Sequence, residues 1–204
     1  MLRLVLVRHG ETSWNLEHRV QGAGSDVDLS QVGKKQAECT GDALKRYQLD
    51  AVYSSPLLRA HDTAAAIARH HGLTVALEPD LKEIDAGEFE GRTVESIGGA
   101  LSQFMFTDEG GKMPVLPGGE GLDELQARAW SAIERIVAGR QSGAIVVVSH
   151  YFTILTVICR ALDFPLTTLR RLRTNPASIS MIGFVESRRT LLSLNDICHL
   201  SLLA

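Results

Sequence analysis

Short apolar runs alternate with longer amphipathic stretches along most of this chain. A short run of Val, Leu, Ile and Ala is typical of a β-strand that is buried on both faces. Such runs predict strands over 4–7, 51–53 and 144–148, and a weaker strand over 74–77. Apolar positions at helical spacing predict helices over 30–47, 57–71, 122–137 and 154–162, with Ser30 as an N-cap and Gly72 as a C-cap.

The order of these elements indicates the fold class. Strands that alternate with helices form a mainly parallel sheet with helices on both faces. The apolar segments 179–185 and 190–194 flank the polar stretch 186–189, and this pattern predicts an antiparallel hairpin. We therefore expect an α/β fold, a three-layer α/β/α sandwich whose mainly parallel sheet has one antiparallel edge.

The stretch 98–121 departs from this regular pattern. It contains several Gly and Pro residues, among them Gly98-Gly99 and Gly118-Gly119, and we interpret it as irregular. The sequence has no internal repeat, low-complexity tract or linker, so we expect 1–204 to form a single domain. Long irregular segments in compact domains are usually functional or disordered, and 98–121 is therefore interpreted as an insertion in that domain.

Composition and charge narrow the range of functions. The 204 residues are 45% hydrophobic and carry a net charge of −3, which provides no broad basic surface for nucleic acid or an anionic membrane. The cysteines Cys39, Cys159 and Cys198 have no close spacing, which favours a reducing compartment over a disulfide framework. The apolar run before Arg8 is too short for a signal peptide, and no run approaches the roughly 20 residues of a membrane span. We expect a cytoplasmic protein without nucleic-acid or membrane partners.

The segment Arg8-His9-Gly10-Glu11-Thr12 directly follows the first predicted strand. In open α/β sheets, ligands bind beyond the carboxyl ends of the strands. An imidazole can attack phosphorus as a nucleophile, and a guanidinium can hold phosphate oxygens through charged hydrogen bonds. Arg8 and His9 at a strand end therefore indicate phosphate chemistry.

Three later segments carry suitable partners. Arg59 lies in the segment 53–60, Glu83 lies in 81–91, and His150 ends another predicted strand. Asn15 follows His9 by six positions. These segments, in this order, resemble the motifs of the histidine phosphatase superfamily, which includes cofactor-dependent phosphoglycerate mutases and many small phosphatases.

The resemblance implies a phosphoglycerate mutase-like fold in which 98–121 forms a cap or lid over the active site. It implies that His9 is the nucleophile and Glu83 the general acid. Phosphate-binding roles are implied for Arg8, Asn15, Arg59 and His150, and substrate-binding roles are considered for Thr12, Gln21, Gly22 and Tyr151. Thr12 could instead orient its loop, and the Tyr151 ring could equally be a core aromatic.

The chemistry of these residues is sufficient without a metal or cofactor. His9 must be unprotonated to attack, and nearby guanidinium groups lower the pKa of an imidazole. Glu83 must be protonated before the alcohol leaves, and a bound phosphate dianion raises the pKa of a nearby carboxyl. The expected partner is a small phosphomonoester, and the expected enzyme is a metal-independent phosphomonoesterase that forms phosphohistidine.

Two other functions remain open. Phosphoglycerate mutases use paired arginines in a longer insertion, whereas this chain has one basic residue, Lys112, between Arg92 and Arg128, which favours a phosphatase. The other alternative is a non-catalytic phospho-ligand or protein-binding module, which would be expected to lose His9 or Glu83. The oligomeric state is open, with a homodimer formed through the terminal hairpin as one option.

Overall fold

The computed structural model describes residues 1–106, 115–201 and 203, with only the backbone described over 101–106. A six-stranded sheet has the order β3-β2-β4-β1-β5-β6. The first four strands in that order pair in parallel, whereas β5 pairs antiparallel with β1 and with β6. The strands are β1 Leu2–Arg8, β2 Ala51–Ser54, β3 Val75–Leu77, β4 Gly143–Ser149, β5 Ile179–Val185 and β6 Arg188–Asp196. The predicted mainly parallel sheet with an antiparallel edge is confirmed.

Helices cover both faces of this sheet. They are α1 Ser13–Leu16, α2 Gln31–Leu44, α3 Leu58–Ala68, α4 Val94–Phe106, α5 Leu122–Val137 and α6 Tyr151–Ala161. Leu4 and Leu6 of β1 belong to a core cluster with residues of α5 and α6. Val5 and Val7 point to the opposite face and belong to a cluster with residues of α2 and α3. Since successive strand residues alternate between faces, β1 contributes to both cores of the three-layer sandwich.

The sheet brings two histidine-bearing strand ends together. β1 and β4 are parallel neighbours, and Arg8 pairs with Ser149 at the end of their register. His9 directly follows β1 and His150 directly follows β4. The His9 N–H donates to the Ser149 carbonyl at 3.0 Å. The register of β1 and β4 therefore places the two histidines side by side.

Several predicted boundaries are corrected. Over 98–106 the prediction of irregular chain is wrong, because these residues belong to α4. This helix begins beside Thr93, whose hydroxyl oxygen accepts the Ser96 N–H at 3.3 Å, and a Cβ at Gly98 or Gly99 would meet no neighbouring atom. The predicted insertion also includes 107–114, which lie outside the described residues.

The remaining differences are small. α2 ends at Leu44 rather than at Tyr47, and α6 begins at Tyr151 rather than at Ile154. Ser30 does accept the Gly33 N–H as the N-cap of α2. The segment after α3 ends at Gly72, which adopts a left-handed conformation with φ of 61°. Among the described residues, no helix combines the length and apolar character that a membrane crossing requires.

Candidate active site

His9 is buried at the end of β1, and one hydrogen bond defines its neutral tautomer. Its Nδ1 lies 2.7 Å from the carbonyl oxygen of Gly10. Since a carbonyl oxygen only accepts hydrogen bonds, Nδ1 carries the hydrogen. In the neutral ring, Nε2 is then the unprotonated nitrogen with an available lone pair. The backbone next to His9 therefore leaves Nε2 as the nitrogen able to attack.

Electrostatics favour the neutral form of both histidines. Burial holds the pKa of His9 well below its usual value, and the positive charges of Arg59 and Arg8 lower it further. Burial and Arg59 likewise hold the pKa of His150 well below its usual value. The two ring centroids are 5.2 Å apart, and His150 Nε2 lies 2.8 Å from Ser55 Oγ. Two neutral imidazoles therefore lie beside two guanidinium groups.

The two arginines are fixed by backbone carbonyls. Arg8 Nη1 donates to the Thr174 carbonyl at 2.7 Å, and its guanidinium carbon lies 5.2 Å from the centroid of the Tyr151 ring. Arg59 is fully buried at the start of α3 and donates to the carbonyls of Ser25 at 2.7 Å and Gly22 at 2.9 Å. Burial lowers the pKa of each arginine to about 10, so both are charged at neutral pH.

Each of these arginines retains an unused donor. The Nε groups of Arg8 and Arg59 are buried and have no hydrogen-bond partner. A buried N–H without an acceptor is costly, and an anion is a favourable acceptor for a guanidinium. The pair therefore provides positive charge and free N–H groups close to His9.

Glu83 is a buried carboxyl that is fixed by the start of α6. It accepts hydrogen bonds from the backbone N–H groups of Ile84 at 2.9 Å, Phe152 at 3.1 Å and Thr153 at 3.2 Å. The Thr153 hydroxyl lies 3.2 Å from the same carboxyl and 2.9 Å from the Lys82 carbonyl. Burial raises the pKa of Glu83, and this effect outweighs the opposing backbone hydrogen bonds and the nearby arginines. The raised pKa favours the protonated form that an acid catalyst requires.

The segment that carries Glu83 is held by Arg128 of α5. Arg128 donates to the carbonyls of Asp80 at 2.7 Å, Lys82 at 2.8 Å and Glu83 at 2.8 Å. It also donates to both carboxylate oxygens of Glu120, at 2.7 and 2.8 Å. Arg128 could not be identified from the sequence, because a polar residue in an amphipathic helix is normally interpreted as part of the solvent-facing side.

A cavity of about 240 Å³ opens beside these groups. Its described lining includes the predicted residues Arg8, His9, Asn15, Gln21, Gly22, Glu83 and Tyr151. Arg59 and His150 are fully buried and do not line it, although His150 packs next to His9 and Arg59 contacts the Gly22 carbonyl. The structure therefore brings most of the predicted residues to one cavity and places these two behind its surface.

Thr12 and Gly22 have structural positions at this cavity. The Thr12 hydroxyl is buried and contacts Asn15 Oδ1 at 3.1 Å and Gln21 Oε1 at 3.0 Å, so Thr12 orients two lining residues and does not line the cavity. A Cβ at Gly22 would lie 2.6 Å from both the Ile84 carbonyl oxygen and Glu90 Oε2, so no larger residue fits there without rearrangement. In the described part of the chain, no group of His, Cys, Asp and Glu residues is arranged to hold a metal ion.

A mainly parallel sheet that ends a central strand in an arginine and a histidine, next to a carboxyl whose pKa is raised, fits an α/β enzyme that acts on phosphate. The model of the histidine phosphatase superfamily (branch 1) matches residues 4–197, and the chain belongs to this family. It is a phosphatase, a phosphoric monoester hydrolase, as the sequence predicted.

Individual relatives extend over nearly the whole chain. Phosphoserine phosphatase 1 of Hydrogenobacter thermophilus is 36% identical over 98% of this chain and 95% of its own length. A probable phosphoglycerate mutase GpmB of Salmonella choleraesuis is 34% identical over 92% of this chain and 87% of its own length. The crystal structure of a phosphoserine phosphatase from Entamoeba histolytica, in complex with 3-phosphoglyceric acid, has a TM-score of 0.89 and 31% identity, and covers 98% of this chain and 100% of that one. A mycobacterial glucosyl-3-phosphoglycerate phosphatase has a TM-score of 0.85 and 28% identity, covering 95% and 98% of the two chains.

Proposed function

We propose that this protein is a metal-independent phosphomonoesterase that hydrolyses small phosphorylated metabolites through phospho-His9. The observation that carries the proposal is the state of His9, which is buried and neutral with Nε2 unprotonated, beside two fixed guanidinium groups. Similarity to a phosphoserine phosphatase and a glucosyl-3-phosphoglycerate phosphatase supports action on small phosphate esters.

In the first proposed step, His9 Nε2 attacks the phosphorus atom and forms the P–N bond. The bond between phosphorus and the ester oxygen breaks, and Glu83 donates its proton to the leaving alcohol oxygen. Arg8, Asn15, Arg59 and His150 are proposed to bind the phosphoryl oxygens, with the unused arginine N–H groups as donors. The positive charges of the guanidinium groups stabilise the negative charge of the phosphoryl oxygens, as a metal ion does in other phosphatases.

In the second step, water attacks the phosphorus atom and the P–N bond breaks. Glu83, now ionised, accepts the proton from the attacking water, and inorganic phosphate leaves. The same carboxyl therefore serves as acid and then as base, which its hydrogen bonds to α6 support by holding it in one position.

The direct test is intact-protein mass spectrometry after a brief pulse with excess phosphomonoester, quenched at alkaline pH. We expect an acid-labile phosphoryl adduct in the wild type and in His61→Ala, which changes a partly exposed histidine, and none in His9→Ala. Glu83→Gln should slow adduct formation from alkyl esters by about 10²–10⁴-fold, because proton donation is lost. A phosphate-releasing His9→Ala enzyme, or loss of wild-type activity in a metal chelator, would contradict the proposal.

Phosphoglycerate mutase activity is the second candidate, because a probable phosphoglycerate mutase is among the relatives. The chain has one basic residue, Lys112, between Arg92 and Arg128, which favours release of phosphate over its transfer to a second carboxylated substrate. Isomer exchange of phosphoglycerate that is stimulated by bisphosphoglycerate and faster than phosphate release would establish the mutase instead.

A further inference from the structure

We infer that the preferred substrates carry an apolar leaving group without a carboxylate, such as a branched alkyl or aryl alcohol. The inference rests on the proposed phosphatase function and deepens it, since it concerns the part of the cavity that would hold the leaving group. The supporting observations are the chemistry of the cavity wall, its rigidity and the placement of its cations.

The described cavity wall contains two chemically different sets of residues. In the polar set, Arg8, His9, Asn15 and Glu83 are the groups proposed to act on the phosphate, and Arg19 and Gln21 are the other polar residues. Most of the other residues in the wall are apolar, among them Val20, Ile84, Phe89, Val94, Leu116 and Phe152. An alcohol bound between these side chains would therefore meet mainly hydrocarbon.

Polar residues could not easily take the place of the apolar residues in the cavity wall, because the fold uses these residues in its core and at the rim. Ile84, Phe89 and Leu116 are buried and belong to the main core cluster of the protein. Val20 and Val94 are held at the rim, where the Val20 N–H donates to the Arg92 carbonyl and the Val94 N–H donates to the His18 carbonyl, each at 2.8 Å. The wall is thus part of the folded framework.

Both cations in the described wall already have hydrogen-bond partners within the protein. Arg8 is held by Thr174 and lies beside His9, at the end proposed to bind phosphate. The other described cation in the lining is Arg19, whose Nε donates to Glu17 at 2.6 Å and whose Nη1 donates to the Gly91 carbonyl at 2.9 Å. Within the described wall, a substrate carboxylate could share Arg19 with Glu17, but the Arg19 side chain is 40% exposed and exposed ion pairs contribute at most about 1 kcal/mol. Deeper in the described wall the carboxylate would lie against apolar side chains, where burying an unpaired charge is strongly unfavourable.

A matched pair of substrates tests the inference. In isobutyl phosphate and O-phosphoserine, the same branched skeleton carries two methyl groups or an ammonium and a carboxylate. We expect kcat/KM to be at least about tenfold higher for isobutyl phosphate, and 2-phenylethyl phosphate to share this advantage. Because the ammonium group makes serine the better leaving group, intrinsic reactivity would produce the opposite order. Equal or higher kcat/KM for O-phosphoserine or 3-phosphoglycerate would overturn the inference.

A substitution at the rim gives an independent test. Val94 is 41% exposed and lines the cavity, so Val94→Lys adds a cation to the wall without disturbing the core. We expect it to raise the kcat/KM ratio of O-phosphoserine to isobutyl phosphate at least about fivefold. Ala100→Lys, an exposed position of the same helix outside the described lining, makes the same charge change and should leave this ratio unchanged. An unchanged ratio in Val94→Lys, or an equal change in both variants, would overturn the inference.

The two levels of the proposal fail in different ways. If carboxylated esters are preferred but phospho-His9 forms, the substrate inference is wrong and the proposed phosphatase mechanism stands. If no ester in the panel gives phosphate or an adduct, the proposed function itself is wrong.

Discussion

The surroundings of His9 favour the neutral form of its imidazole that the proposed chemistry requires. The Gly10 carbonyl fixes the hydrogen on Nδ1, and burial with two nearby guanidinium groups disfavours a second proton. The same features that make Nε2 available also make protonation of the folded protein unfavourable. The charge state of His9 therefore links the proposed chemistry to stability.

We expect the free energy of unfolding to decrease as the pH falls below about 6.5, the usual pKa of histidine. The pKa values of His9 and His150 are lowered in the folded state, so only the unfolded chain takes up protons there, and protonation pulls the equilibrium towards unfolding. Each histidine contributes up to about 1.4 kcal/mol per pH unit until the pH reaches its folded pKa. Denaturant unfolding between pH 5 and 8 measures this slope.

Glu83 also contributes to the pH dependence of the free energy of unfolding, in the direction opposite to the histidines. The variant His9→Asn is therefore needed to isolate the contribution of His9. The raised pKa of Glu83 stabilises the fold below its unfolded value near 4.5, and this contribution is lost as the pH rises through its folded value. His9→Asn should flatten the slope, whereas His61→Ala, at a partly exposed position, should not. A wild-type slope in His9→Asn would show that His9 is not held neutral.

The residues of the candidate site could be predicted from the sequence where they are grouped in short motifs. Arg8, His9, Glu83 and His150 follow strands or lie in recognisable motifs, and the structure brings their segments together. Thr153, whose hydroxyl contacts Glu83 across 70 positions, could not be predicted, because such a contact depends on how separate elements pack.

At the scale of elements, α6 begins because a distant carboxyl satisfies its first N–H groups. The Glu83 carboxyl accepts hydrogen bonds from Phe152 and Thr153, the second and third residues of the helix. The first N–H groups of a helix have no partner within it, and an acidic group there is favourable. The same interaction starts the helix and orients the proposed acid.

We expect Thr153→Val to lower kcat about fivefold. The substitution removes a hydroxyl that contacts the Glu83 carboxyl and the Lys82 carbonyl, and one hydrogen bond is worth about 1 kcal/mol. The Lys82 carbonyl only accepts and takes the single hydroxyl hydrogen at 2.9 Å, so the Thr153 oxygen can accept from the protonated Glu83 carboxyl at 3.2 Å. Its loss should therefore also lower the pKa of Glu83 and move the alkaline limb of the kcat profile to lower pH.

Thr156→Val is the matched control. The Thr156 hydroxyl is also buried in α6, but it donates to the Thr153 carbonyl at 2.9 Å and not to Glu83. It should leave the alkaline limb unchanged. A purely structural role for Thr153 would instead give equal losses of thermal stability in both variants and no movement of the pH profile.

The strands and the existence of most helices could be predicted, because their apolar periodicity is strong. The first turn of α6 could not, because its capping group comes from another segment. α4 was missed because two adjacent glycines lower helix propensity by about 1 kcal/mol each, whereas the Thr93 hydroxyl that accepts the Ser96 N–H was the available local signal.

At the scale of the whole molecule, positive charge is concentrated inside a negatively charged protein. The net charge is −3, yet Arg8 and Arg59 lie together beside the cavity with unused N–H donors. Both guanidinium groups are partly or fully removed from water, which costs free energy that a bound dianion recovers. Ligand-free protein should therefore gain stability when an anion binds.

We expect inorganic phosphate to raise the Tm of the wild type, with a stabilisation of about 2.7 kcal/mol at a concentration one hundred times the Kd. Differential scanning fluorimetry over a phosphate titration measures the shift. Arg8→Gln should lose most of it, because it removes one of the two guanidinium groups beside His9.

Arg3→Gln is the control, since Arg3 is exposed on the same strand and its loss changes the net charge equally. It should retain the wild-type response to phosphate. An equal response in Arg8→Gln would place the anion elsewhere on the protein.

The central position of β1 has a consequence for the order in which the molecule can assemble. Residues 2–8 are translated before both of their partners in the sheet, 143–149 on one side and 179–184 on the other. His9 therefore has no neighbouring His150 until most of the chain has left the ribosome, and such long-range pairing is intrinsically slow. A nascent chain that stalls before β4 would present an unpaired apolar strand and have no active site. Catalytic competence thus reports that synthesis has gone past β5, and it should appear late and all at once during refolding.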